Sequence, residues 1–201
     1  MPSAFPNGLK SVPLPAGMEI VRVHWTNKVP IWFGPAPGNP PASRFDATGG
    51  QYRTLYAAEA LVGAFVETIL HKPGGRIVRR AFIEQRAWST LRLKRDLVLA
   101  KLYDDGLLWH GTDAAISASD SYSEPRRVAF ALHEEFPALD GLAYRARHNN
   151  GAICYALFDR VAASDLEVVA TTKFEDDKAR VDMLMTEHGA IYDVSPPVPP
   201  P

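Results

Sequence analysis

The chain reads as a single α+β domain built on a curved sheet. Two observations predict this. Short segments that alternate apolar and polar residues, or form brief apolar runs, outnumber the three stretches with a clean helical period. At 201 residues, with 46% hydrophobic and 10% aromatic content, the chain can fill one sizeable core, and its composition is not that of a disordered protein. No internal repeat is visible.

Residues 1–17 are rich in proline, glycine and serine and read as a loose or extended lead-in to a domain spanning 18–190. Glu19-Ile20-Val21-Arg22-Val23-His24-Trp25 alternates as a strand does. Residues 29–53 hold seven prolines and glycines before Gly49-Gly50, which predicts a long loop, stiffened by its prolines. Thr54–Tyr56 reads as a short strand and about 58–70 as a helix, with Leu61, Ala64, Phe65 and Thr68 on one stripe. His71-Lys72-Pro73-Gly74-Gly75 stops that helix. Ile77–Ile83 and Asp96–Leu102 look like strands, and Gly111–Ala118 like a turn or short helix. Ser123-Glu124-Pro125 opens a helix to about Phe136, with serine at the cap and proline in the first turn. Gly141–Arg145 and Ile153–Phe158 form strands around the turn Asn149-Asn150-Gly151, and Leu166–Ala170 forms another. Ala179–His188 reads as a helix closed by Gly189. Residues 191–201 are a proline-rich tail, of which Ser195–Pro201 is expected to be polyproline II or disordered.

Several function classes fall away. A net charge of −1 gives no electrostatic case for nucleic acid or an anionic membrane as the main partner. The single cysteine, Cys154, excludes an internal disulfide, fits a reducing compartment and sits mid-strand as a small hydrophobe would. There is no apolar leader or bilayer-length run, so a soluble cytoplasmic protein is expected. The six histidines are scattered without zinc spacing, so no metal is expected. Gly49-Gly50 precedes a strand rather than a helix, unlike a phosphate-binding loop.

The residues that could carry chemistry cluster around SRFDATGGQYRTLYAAE. Ala60, Gly63, Ala64 and Glu67 share one flank of the predicted helix, so three small side chains leave room beside a carboxylate. On spacing alone the ordinary readings come first: Glu67 as a solvated surface residue, Tyr56 as a half-buried strand aromatic and Arg22 as an exposed strand cation. Arg44 is the least ordinary, because a glycine turn has no need of a fixed cation and an anion does.

In order along the chain, Val21-Arg22-Val23, Arg44-Phe45-Asp46 with Gly50, Thr54-Leu55-Tyr56-Ala57-Ala58 with Phe65-Val66-Glu67, and Asp140-Gly141-Leu142-Ala143-Tyr144-Arg145-Ala146-Arg147-His148 resemble the RES domain family over roughly residues 18–175. Members are toxins of RES–Xre toxin–antitoxin systems. The resemblance implies a curved split sheet of the diphtheria-toxin type of ADP-ribosyltransferase, with an NAD cleft. It also implies an NAD+ phosphorylase: NAD+ and phosphate are substrates, no further cofactor is needed, and nicotinamide and ADP-ribose 1″-phosphate are the products. In that chemistry Glu67 would stabilise oxocarbenium character on the ribose, Tyr56 would orient the nicotinamide, and Arg22 and Arg44 would hold phosphate groups. An Xre-type antitoxin would be the protein partner, forming a hetero-oligomer.

One position departs from the family. Many members carry serine in the strand matching Tyr144–His148, where this chain has Ala146. Either that hydroxyl is dispensable or Ser123, at a helix start suited to phosphate, supplies one. Hydrolysis of NAD+ in place of phosphorolysis, ADP-ribosyl transfer to a macromolecule, and a catalytically decayed binding module remain the alternatives at this stage.

Overall fold

The fold was analysed in a computed structural model that describes residues 3–72 and 76–193. Its elements, in order, are β1 (Ser11–Leu14), β2 (Glu19–Trp25), β3 (Thr54–Ala58), α1 (Leu61–Ile69), β4 (Ile77–Arg79), α2 (Arg80–Glu84), β5 (Arg86–Leu93) and β6 (Leu97–Leu102). After these come α3 (Asp105–Trp109), α4 (Ala115–Ala118), α5 (Ser123–Glu135), β7 (Gly141–Ala146), β8 (Asn149–Phe158), β9 (Leu166–Lys173), α6 (Lys178–Glu187) and β10 (Ile191–Asp193). Eight strands form one open sheet in the order β1-β6-β7-β8-β3-β2-β5-β9, and β4 pairs with β10 in a separate parallel ribbon. All pairings in the large sheet are antiparallel except β6 with β7, whose parallel register needs the crossover that α3, α4 and α5 supply.

The sheet is α+β and split, as expected, and the split lies between β2 and β3. These strands pair at one position, Val21 with Ala58, whereas β2 pairs with β5 over its whole length and β3 with β8 over five residues. Continued register would set Val23 opposite Tyr56 and Trp25 opposite Thr54; the strands part instead. The loop 26–53 fills the place of the lost partner. Gly34 bridges Thr54, exchanging both backbone hydrogen bonds (3.0 and 2.7 Å), so the parted edge of β3 is not left unpaired there.

Two cores cover the two faces of the sheet. The larger packs Phe45, Phe65, Leu132, Leu142, Phe158 and Phe174 under α1, α5 and α6, and the smaller packs Ile20, Leu55, Leu91, Leu99 and Leu157 beneath loop residues such as Phe33. Gly63 lets α1 lie close on β3 and β8: a Cβ there would sit 3.1 Å from that of Ala58 and 3.2 Å from that of Ala152.

Several expectations need correction. Residues 77–83 are not one strand: three residues pair with β10, then α2 turns the chain into β5. β5 itself carries no strong apolar alternation, because its inward positions include Ala87 and Ser89, the latter bonded to His24 and Thr171. Ser123 is the first helical residue of α5 rather than its cap; Tyr122 holds the cap position, and Ser123 Oγ bonds Ser121 Oγ at 2.9 Å. The stretch read as a lead-in is extended and packed: β1 pairs with β6, and Phe5 is buried in the larger core. The tail begins later than residue 191, because Ile191–Asp193 form β10 on β4. The Ser195–Pro201 tail lies outside the described residues. Among those residues, no helix is long and apolar enough to cross a membrane.

Candidate active site

A cavity of about 290 Å3 opens where β2 and β3 part, and Arg22, Arg44, Tyr56 and Glu67 all line it. Each reaches it from a different element. Arg22 comes from β2, Arg44 from the long loop, Tyr56 from β3 and Glu67 from the last turns of α1. Ala64, one turn before Glu67, also lines the cavity, but the rest of the small flank read from sequence does not: Gly63 packs against Ala58 and Ala152, and Ala60 is exposed.

Glu67 is half-buried, and burial pushes its carboxyl above the ordinary carboxylate value. A hydrogen bond and three cationic side chains oppose that push: the Arg147 backbone N–H donates to Glu67 Oε1 at 2.8 Å, and Arg44, His148 and Arg147 add positive potential. The result is a partly desolvated carboxylate held ready for a developing positive charge. Arg44 is 7% exposed. Its Nη1 donates to the Ser119 carbonyl at 2.9 Å, and its guanidinium lies 4.6 Å from the Tyr122 ring centroid, which fixes the fork in the cavity wall.

Tyr56 has a structural task as well. Its hydroxyl donates to Asp46 Oδ1 (3.0 Å) and accepts from the Phe45 N–H (2.9 Å), while Asp46 Oδ2 accepts from the N–H groups of Ala42 and Ser43. Burial and Asp46 push the phenol well above its usual range, so it stays protonated. Tyr56 thus staples the Arg44 loop to the sheet and leaves its ring to the cavity. From the other side, Arg126 of α5 donates to the carbonyls of Ser43 and Pro41.

Arg22 is different. Its Nε and Nη1 are buried and find no hydrogen-bond partner among the described residues, and desolvation lowers its pKa to about 10. A cation stripped of water with no carboxylate at hand is an incomplete site, and an anion completes it.

Ser123 is exposed and is not among the lining residues; its neighbour Tyr122 is. Ala146 is fully buried in the larger core, also away from the lining. Residues beyond the sequence reading that do line the cavity include Tyr122, Tyr144 and Arg147. Arg147 had a visible signal, being part of Tyr144-Arg145-Ala146-Arg147-His148, but its larger effect on Glu67 comes from its backbone N–H, which no side-chain pattern reports. Among the described residues no group of three or more His, Cys, Asp or Glu is placed to hold a metal ion.

Comparisons with known proteins agree with this architecture. No curated protein sequence matches the chain. Among solved structures, a chain of the crystal structure of the M. tuberculosis MbcT–MbcA toxin–antitoxin complex superposes with a TM-score of 0.63 at 15% identity. The match covers 87% of this chain and 92% of that one, and at this identity it speaks to the fold. The RES domain family model matches residues 18–177, most of the chain and both walls of the cavity. The protein belongs to the RES domain family.

Proposed function

We propose that the protein is the toxin of a toxin–antitoxin pair and an enzyme that consumes NAD+, cleaving the nicotinamide–ribose bond with phosphate as acceptor. The observation that carries this reading is the convergence of Glu67, Tyr56, Arg44 and Arg22 on one cavity at the split in the sheet. The bond from ribose C1″ to the pyridinium nitrogen breaks, its electron pair leaves with the ring, and neutral nicotinamide departs. Positive charge grows on the ribose, where the half-buried Glu67 carboxylate stabilises it in a low-dielectric setting. The Tyr56 ring orients the leaving nicotinamide. Phosphate then forms the new C1″–O bond, giving ADP-ribose 1″-phosphate. Arg44 and Arg22 hold the anionic groups of both substrates.

The partner in this reading is an Xre-type antitoxin that covers the cavity mouth. Two supports are the family and the structural likeness to a protein crystallised in a toxin–antitoxin complex. Purified protein incubated with NAD+, with and without phosphate, tests the chemistry by resolving the products. Nicotinamide release that depends on phosphate is expected. Release without that dependence would move the reading to hydrolysis, label transfer to a macromolecule would move it to ADP-ribosylation, and absence of release would remove it.

A further inference from the structure

Three arginines line the cavity at Glu67, and Arg147 is the one with no part in the reaction proposed for it. Its backbone N–H is fixed on Glu67 Oε1 at 2.8 Å, so its side chain starts beside that carboxylate. Its charge bears on Arg44, Glu67 and His71, which line the same cavity.

The Arg147 side chain is held by a single ion pair. Nη2 donates to Asp120 Oδ1 at 2.7 Å, and no other side-chain hydrogen bond of Arg147 occurs among the described residues. The pair is lopsided: the Arg147 side chain is 13% exposed and that of Asp120 is 83% exposed. A carboxylate so exposed keeps most of its hydration whether paired or free, so releasing the contact costs little on its side. A guanidinium so enclosed needs an anionic partner. Arg147 is therefore a cation whose partner can be exchanged.

Asp120 is not a lining residue; it reaches Arg147 from the connector 119–122 between α4 and α5. The same connector holds Arg44. The Ser119 carbonyl accepts from Arg44 Nη1 at 2.9 Å, and the Tyr122 ring centroid lies 4.6 Å from the Arg44 guanidinium. These two contacts keep the connector anchored when Asp120 lets go. Glu67 is the one carboxylate among the described lining residues, against Arg22, Arg44 and Arg147. Asp120 thus supplies negative charge to the cavity from outside it.

We propose that Arg147, with Arg44, holds the acceptor oxyanion, and that Asp120 is a built-in competitor for that place. Phosphate brings a second charge and more acceptor oxygens than one carboxylate, so it displaces Asp120 and takes over the guanidinium. This rests on the phosphate-dependent reading of the cavity and extends it to regulation: Asp120 sets the phosphate concentration at which the cavity fills.

The test is calorimetric titration of the full chain with inorganic phosphate, without NAD+, for the wild type, Asp120→Asn and Arg147→Gln. KM values for phosphate and for NAD+ accompany it. Asp120 is exposed, so its variant carries the test should Arg147→Gln fail to fold. Removing the competitor is expected to tighten phosphate binding and lower the phosphate KM by about threefold, the range of an exposed ion pair. Arg147→Gln is expected to weaken phosphate binding by about tenfold or more, as loss of a charge-assisted contact does. Phosphate affinity in Asp120→Asn equal to or weaker than the wild type would make the pair a plain structural tie and overturn the proposal. So would unchanged phosphate binding in Arg147→Gln, or none in the wild type and Asp120→Asn alike. A KM for NAD+ that falls as far as that for phosphate in Asp120→Asn would overturn the acceptor assignment in favour of the dinucleotide's own phosphates. Tighter phosphate binding by Asp120→Asn, in a protein that leaves NAD+ intact, would support the competitor and sink the catalytic reading. Phosphate-dependent NAD+ cleavage with a phosphate KM indifferent to both variants would do the reverse.

Discussion

At the scale of single residues, the site is marked by groups that weaken the fold. Arg22 keeps two buried guanidinium nitrogens unpartnered, a state that costs roughly 1–3 kcal/mol for each lost bond. Arg22→Met is therefore expected to raise the melting temperature while lowering NAD+ turnover by about 100-fold or more, the magnitude typical of losing an electrostatic contact in the transition state. Glu67 adds a pH signature. Its folded pKa lies above the ordinary carboxylate value, so the folded state holds this proton more tightly than the unfolded chain does. The resulting penalty is absent below that value, grows as pH rises towards the raised pKa and is constant above it. Thermal melts of Glu67→Gln against wild type should coincide in acid and favour the variant at neutral pH, while wild-type turnover falls as pH drops through the same interval. Ala146, a departure from the family's serine, is fully buried away from the cavity, and Ala146→Ser is expected to leave turnover unimproved. Arg44 was legible in the sequence as a cation that a glycine turn does not need, whereas Tyr56, Glu67 and Arg22 read as ordinary by spacing and were singled out by the family resemblance.

At the scale of elements, the decisive event is the parting of β2 from β3 after a single pair. The loop 26–53 replaces the missing contact through Gly34, Tyr56 and Arg126, which agrees with the stiffness its prolines imply. Strand and helix existence was largely readable, since β2, β3, α1, α5, β7, β8 and α6 have clear periods. β5 was not, because Ala87 and Ser89 dilute its inward face, and the split was not readable as a place, because pairing partners lie far apart in sequence. α1 supplies the sharpest element-level test. With Cβ neighbours at 3.1 and 3.2 Å, Gly63 leaves room for little more than a methyl group. Gly63→Val is expected to cost about 1–3 kcal/mol by overpacking and to displace Glu67, lowering turnover as well. Gly63→Ala should be near neutral, because better helix propensity offsets the squeeze.

At the scale of the whole molecule, an eight-stranded sheet with a core on each face holds four distant chain segments around one cleft. Strands and a stapled loop position the cations and the carboxylate, so the proposed reaction asks little rearrangement of the protein. Composition and period gave the α+β class, the ordered motifs gave the family, and packing supplied the cleft itself. The central claim, NAD+ cleavage at Glu67, is tested most directly by product analysis of wild type and Glu67→Gln incubated with NAD+ and phosphate. The wild type should release nicotinamide with matching ADP-ribose 1″-phosphate, and Glu67→Gln should be slower by about 100-fold or more. Equal nicotinamide release by the two proteins, or none from the wild type, would contradict it.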